Sequence, residues 1–304
     1  MTDDRIRWPN DAPFALFLSH DIDQIHDREL FRILADLNHI RRLLTQGEAG
    51  HLGLASARVL RSLFKPKPTG DDVRTLLAIE ARYGFPSTFF ILHDPYWSRY
   101  GPRYRLGSPG LRRIVDMILA AGGEIGVHGG YYRFNQAAGY RESREAVGNT
   151  FGIEAVGIRN HYLRFSFPET WLAQEAAGFR YDATFGWTDR PGARDGRAFP
   201  FHPVDPRTGR TLDLTVLPLT VMDTTLFRHL RLGRTAALDT AWNAIAPIIA
   251  QGGLVSLLWH NNYFDEPEYQ DWQWVYEALL ERLAALGPWC ATGAAIEEWG
   301  GKKF

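Results

Sequence analysis

The chain has one cysteine, Cys290, so it can form no internal disulfide and offers no thiolate cluster for a structural zinc. It has no apolar run near the ~18 residues needed to cross a bilayer. It has no charge excess either. Lys plus Arg number 34 and Asp plus Glu 35, a net charge of -1, which argues against a dedicated nucleic-acid binder. The opening MTDDRIRW has no apolar stretch behind its charges, so a secretory leader is not expected and the expected location is the cytoplasm. No phosphate-cradling Gly-Lys loop and no glycine-rich dinucleotide motif is present, and neither a repeat nor a low-complexity tract stands out. What is present is average globular material, 45% hydrophobic and 23% charged over 304 residues, with ten Trp raising the aromatic content to 13%.

Short apolar runs recur, each followed by a polar or Gly-rich turn and a helix-like stretch. The runs read as strands are Phe14–Ser19, Ser87–Leu92, Glu124–His128, Ala155–Arg159, Tyr181–Phe185, Leu214–Val221 and Gly253–His260. Helical patterns fill about 71–83, 109–121, 137–150, 168–177, 235–251 and 268–286, with Asp71 or Asp72 as a cap and Gly84 as a stop for the first. Strands alternating with helices imply an α/β fold around a parallel sheet. No linker-like shift divides residues 1–304, so a single barrel domain is expected, with a doubly wound open sheet as the competitor.

Residues 24–69 break the alternation. Leu30, Ile33, Leu34, Leu37, Ile40 and Leu44 keep a helical period, as do Leu54, Val59, Leu60 and Leu63, before a Lys-Pro-Lys-Pro stop. The segment reads as a helical hairpin inserted after the first strand. Its eight Lys or Arg against four acids make either a solvated basic face or a cap that attracts an anionic substrate.

The unusual polar residues fall at strand ends, where the loops of a parallel α/β barrel converge on one mouth. They are Ser19-His20-Asp21-Ile22-Asp23, His128-Gly129-Gly130, Arg159-Asn160-His161-Tyr162, Asp182 and His260-Asn261-Asn262. Period-2 alternation sends Asp21 and Asp23 to one side of the first strand and His20 to the other. Two carboxylates so placed can divide cation binding from proton transfer. Carboxylate with imidazole suits a catalytic zinc, which takes mixed nitrogen and oxygen ligands. Cys290 lies away from the mouth and is not expected to act as a nucleophile.

LFLSHDID, PSTFFIL, EIGVH, IRNHY and LVSLLWH, in this order over roughly 12–23 and 71–262, resemble the motifs of the polysaccharide deacetylase family, the NodB-homology fold. RNHYLRF, YDATFGW, PGARDGR and LPLTVMDTTL are similar to its branch associated with O-antigen and surface-polysaccharide clusters. The resemblance implies a distorted (β/α)7-type barrel and a metal-dependent hydrolase, zinc being the expected metal. It implies Asp21 as general base, Asp23 and His128 as metal ligands, and Arg159 as the group that orients Asp21. It further implies the Tyr162 N–H as an oxyanion donor and His260 as general acid, with Asp182 and Arg194 as a charge pair near His260 or the sugar. The implied substrate is an N-acetylated amino sugar on a nucleotide- or lipid-linked precursor. The alternatives are hydrolysis of another non-peptide amide, and a non-catalytic carbohydrate-binding protein.

Two departures from the family pattern bear on the metal. Its second histidine, a turn after the first, is missing, because Gly129, Gly130, Tyr131, Tyr132 and Arg133 follow His128. The third motif carries His161 where proline is usual. A catalytic zinc generally needs three protein ligands. The next histidine after His128 is His161, which makes Asp23, His128 and His161 the expected set; the alternative is that His161 contacts substrate or holds its loop. Tyr96, Trp97, Tyr100, Tyr104, Trp187, Tyr263 and Phe264 supply flat rings for a pyranose or plug the barrel end, and Asn261 and Asn262 are candidates for reading sugar hydroxyls.

Overall fold

The computed structural model describes residues 7–25, 69–95, 98–264 and 266–300. The inserted hairpin expected at 24–69 falls almost wholly outside these residues, as do Tyr96 and Trp97. The strands are β1 (Ala15–Ile22), β2 (Ser87–His93), β3 (Glu124–Gly129), β4 (Gly157–Asn160), β5 (Tyr181–Asp182), β6 (Thr215–Val216), β7 (Val221–Met222), β8 (Leu254–Leu258) and β9 (Trp289–Cys290). They form one sheet in the order β6-β5-β4-β3-β2-β1-β8-β7, with β9 beside the start of β1 and every pairing parallel. The sheet curls into a half-barrel flanked by helices, a distorted (β/α) barrel. The helices are α1 (Asp71–Ala81), α2 (Pro109–Ala120), α3 (Ala137–Phe151), α4 (Glu169–Ala176), α5 (Arg234–Ala250), α6 (Gln270–Ala284) and α7 (Gly293–Gly300).

The six helices expected from periodicity are all present within a few residues of their expected limits. α2 begins as its sequence dictates, with Ser108 accepting from the Leu111 N–H and Pro109 in the first turn, where a missing N–H costs nothing. α1 differs from expectation. Its cap is Gly70 at φ 86, and Asp72 turns inward to accept from Asn261 Nδ2 at 2.6 Å. The expected strand Leu214–Val221 is broken in two because Pro218 has no N–H to give a ladder. Its first part bonds toward β5, Leu217 N to Asp182 O at 2.8 Å, and its second toward β8, Thr220 N to Ser256 O at 3.0 Å. One short run of chain therefore reaches both edges of the sheet.

β1 is buried along its whole length, and its two faces do different work. Leu16, Leu18 and Ile22 enter the main core between sheet and helices, while Ala15 and Phe17 pack inside the barrel with Phe90, Tyr181 and Leu217. The same alternation sends Ser19 and Asp21 inward and His20 outward. His20 Nδ1–H donates to the Trp259 carbonyl at 2.7 Å and Nε2 lies 2.8 Å from Glu80 Oε1, and Glu80 also accepts from the Ser87 and Tyr276 hydroxyls.

The end of the barrel away from the mouth is closed by β9 and α7, which periodicity did not reveal. Gly293 N and Ala294 N donate to Thr88 Oγ1 and Glu124 Oε2 at 3.1 and 3.0 Å, and the Tyr181 hydroxyl donates to Glu124 Oε1 at 2.9 Å. Burial raises the Glu124 carboxyl above its usual range, against four hydrogen bonds that lower it. Cys290 sits at this end, paired in register with Leu16 and far along β1 from Asp21. Among the described residues no helix is long and apolar enough to cross a membrane.

Gly157 makes the packing of this interior possible, since a Cβ there would lie 2.0 Å from Tyr181 Cζ. Gly157→Ala should therefore push Tyr181 off Glu124 and lower stability by roughly 1–3 kcal/mol in urea unfolding, the range of core overpacking. A wild-type unfolding midpoint would contradict this packing.

Candidate metal centre and active site

At the opposite end, β1, β3, β4 and β8 deliver their terminal side chains to one place. Arg159 of β4 is fully buried and holds several strands at once. Its Nη1 donates to Asp21 Oδ1 at 3.0 Å, Nη2 to Ser19 Oγ at 2.8 Å and Nε to the Ala183 carbonyl at 3.0 Å, with Phe90 4.5 Å beneath its plane. Burial would raise the Asp21 carboxyl, but the charges of His128, Arg159 and His260 outweigh it and hold the group below the ordinary aspartate range. Asp21 is thus a buried carboxylate kept ionised, with Oδ1 taken by Arg159 and Oδ2 facing His128 Nε2 at 3.6 Å.

Asp23 lies just past β1 and is partly exposed. Its Oδ1 stands 3.5 Å from His128 Nε2 and 3.6 Å from His161 Nε2. That oxygen is buried and has no hydrogen-bond partner. One ligand atom from each of Asp23, His128 and His161 lies within 4.8 Å of the others. Donors around a tetrahedral zinc with bonds of about 2.0–2.1 Å stand ~3.3 Å apart, close to the two separations from Asp23 Oδ1.

The protonation states also suit a cation. His128 Nδ1 contacts the Arg159 carbonyl at 2.9 Å, and a carbonyl only accepts, so Nδ1 carries the proton and Nε2 presents a lone pair. Burial lowers His128 to about 4 despite Asp21 and Asp23, which keeps the ring neutral, the ligating form. Asp23 is pushed well below the usual aspartate range: burial opposes this, but the His161, His128 and His260 charges prevail. An orphaned carboxylate oxygen, a neutral imidazole aimed at it and a second imidazole from the neighbouring strand make a donor set that fits a divalent cation. His161 thus stands beside His128 at the end of the adjacent strand, as expected of a candidate ligand.

His260 enters from the end of β8, with Nε2 4.0 Å from Asp23 Oδ2. Its partner is Asp223, just past β7, which takes Nδ1–H at 2.8 Å and the His260 backbone N–H at 2.7 Å. Burial alone would lower His260, but Asp223, then Asp23 and Asp21, raise it to about 9. Sequence reasoning quoted the segment around Asp223 and missed the residue, because an aspartate beside Thr224 and Thr225 past a strand reads equally well as a turn.

Other expected site residues stand elsewhere. The Asp182–Arg194 pair does not form. Asp182 is fully buried and faces outward, accepting from Gln174 and Trp171 of α4 and from Thr184. Arg194 donates to the Gly186 carbonyl and lies 4.7 Å from the rings of Phe185 and Trp187. Trp187 is half-buried on the loop after β5, with Arg190 4.0 Å from its ring. Asn261 is buried and spends its amide on Gln24 O and Asp72, and Asn262 is half-buried beside Tyr263. Tyr104 is buried with its hydroxyl shared by the Ile22 and Leu92 carbonyls, and Phe264 is wholly in the core. These groups stiffen the loops around the mouth.

Tyr162 keeps a place at the rim, 59% exposed, with positive φ at it and at Leu163, 58° and 49°. Two successive non-glycine residues in the left-handed region cost of order 1–3 kcal/mol each, a strain that gathers at functional turns. The ring joins Tyr100, Tyr131 and Tyr132 in an aromatic rim, Tyr100 stacking on Tyr131 at 3.9 Å, and it lies 4.5 Å from the His161 ring.

No family model and no curated protein sequence matches the chain. Solved structures do. One described as a polysaccharide deacetylase from Pseudomonas aeruginosa PAO1 is 15% identical, with 97% of this chain and 94% of that one aligned at a TM-score of 0.62. Another, so described from Mycobacterium smegmatis, is 20% identical over 97% and 92% of the two chains, at 0.59. At these identities the likeness shows a common fold.

If His161 is a ligand, His161→Ala should lower bound zinc as far as His128→Ala does, measured by elemental analysis after equilibration with the metal. Full metal content in His161→Ala would remove His161 from the ligand set.

Proposed function

We propose that this chain is a metal-dependent carbohydrate N-deacetylase. The observation that carries the reading is the three-donor cluster of Asp23, His128 and His161, set between an Arg159-held carboxylate and an Asp223-held imidazole. The RNHYLRF and PGARDGR motifs support an N-acetylated amino sugar of a surface-polysaccharide, O-antigen-like precursor, nucleotide- or lipid-linked, as its substrate. Zinc is the metal that best suits two imidazoles and one carboxylate.

Asp23, His128 and His161 would hold the cation, which when bound supplies Lewis acidity to the amide carbonyl and the attacking water. Asp21 stays ionised at neutral pH and accepts the proton of that water on Oδ2, since Arg159 occupies Oδ1. The Tyr162 N–H, in its strained turn, is the candidate donor to the oxyanion. Asp223 accepts His260 Nδ1–H and holds the ring in its imidazolium form, so that Nε2 also carries a proton, which the leaving amine takes. The amide C–N bond breaks, water oxygen stays with the acetyl group as acetate, and the amine departs protonated. Arg159 contributes by holding Asp21 in place and in charge, and touches no reacting atom.

His260→Ala should stay folded, and Asp21→Asn, which leaves Arg159 an oxygen but no charge partner, should fold with lowered stability; both should lose about 10²–10⁴ in acetate release, the usual loss for an acid or base group. The assay compares metal-loaded and chelator-treated protein on N-acetylhexosamine glycosides and carrier-linked sugars. Near wild-type turnover by either variant, or release insensitive to chelation, would contradict the reading.

The pH profile gives a separate check. The acid form of His260 exists below its raised pKa of about 9 and is lost as pH rises through it, so activity should have an alkaline limb there. Asp223→Asn removes the main group that raises the pKa, and should move that limb to lower pH by roughly 1–3 units. An unmoved limb in this variant would separate Asp223 from the acid.

A further inference from the structure

Directly after Asp223, residues Thr225–His229 form a single π-helical turn, with Leu230 N donating to Thr225 O at 3.0 Å. Wide turns of this kind are rare and concentrate at functional sites. The turn carries Arg228 at the mouth. The guanidinium lies 5.3 Å from the Tyr263 ring and 5.9 Å from Trp272, and Tyr263 stands 5.9 Å from His260. Tyr263 and Trp272 are buried against each other at 4.0 Å, so the bed under Arg228 is rigid.

At the aromatic rim stands Arg99, 4.5 Å from the Tyr100 ring, which in turn packs 5.5 Å from Tyr162. Arg228 and Arg99 are both exposed, and neither has a carboxylate within ion-pair distance among the described residues; Arg228 bonds the Tyr269 side chain and lies in the field of Asp223, which leaves the rest of its donors open. Nearby Arg159, by contrast, is saturated by three acceptors. A guanidinium packed on aromatic faces keeps its in-plane N–H edge for a planar or tetrahedral anion.

We propose that Arg228, beside Tyr263 and His260, with Arg99 at the aromatic rim, recognises an anionic group carried by the substrate beside the acetamido sugar. The shared chemistry is an oxyanion, supplied either by the carboxylate of an aminouronic acid or by the phosphate of a carrier-linked sugar. The inference rests on the deacetylase reading for the acetamido sugar; the anion follows from the arginines.

The test is calorimetric binding and acetate release with three probes: a neutral N-acetylhexosamine glycoside, the matching N-acetylated aminouronic acid and a nucleotide-linked N-acetylhexosamine. Wild-type protein should bind one of the charged probes roughly 10- to 100-fold tighter than the neutral one, as a charge-assisted hydrogen-bonded pair provides, and less so at high salt. The charged probe that wins identifies carboxylate or phosphate as the source. Arg228→Gln should abolish most of that ratio, and Arg228→Lys should restore part of it by returning the charge without the fork. Equal binding of all three probes by the wild type, or an unchanged ratio in Arg228→Gln, would overturn the proposal. Anion preference without acetate from any probe would instead overturn the deacetylase reading and leave the anion site standing.

Discussion

The mouth of this barrel is organised around one buried guanidinium. Arg159 reaches from β4 to two side chains of β1, to the chain just past β5 and to a ring on β2. Four strands are thereby held at one depth by a group that never meets solvent. Such a charge is tolerable only with its partners in place; removing one partner of a buried pair generally costs about 3–5 kcal/mol. The same contact that makes the interior affordable also keeps Asp21 ionised, so scaffold and chemistry cannot be varied independently here.

Much of this was legible in the sequence, for a simple reason. A strand with two kinds of neighbour must alternate, and β1 alternates cleanly: Ser19 and Asp21 inward, His20 and Ile22 outward. The parallel order then brings the ends of β3 and β4 side by side, which is why His161 could be matched with His128. Alternation also contained the answer for Asp182. Tyr181 fills the barrel interior, so its neighbour on β5 has to face the helices, where Trp171 and Gln174 hold it.

What sequence did not show lies where no period operates. Asn261, Tyr104 and Phe264 sit on or beside strand-end loops rich in polar and aromatic residues, and nothing in their spacing separates a side chain that ties a loop down from one that meets a ligand. Asp223 follows a strand interrupted at Pro218, so neither its face nor its depth could be counted from the strand start. β9 and α7 are short, and their role as a plug depends on Glu124 and Thr88, residues more than 160 positions earlier.

A ligand set drawn from separate strands, as proposed for this chain, would change what metal affinity means. A pair of histidines one helical turn apart belongs to a local segment, and a short peptide holding such a pair can bind a cation without any tertiary fold. Here the candidate donors are Asp23, His128 and His161, which lie 138 positions apart from first to last and on the ends of three strands. Affinity for an ion held by them would be a property of the assembled barrel and would vanish with it. By mass action, free metal concentration would then act as a thermodynamic restraint on the sheet itself, weighting the population toward molecules whose β1, β3 and β4 are in register.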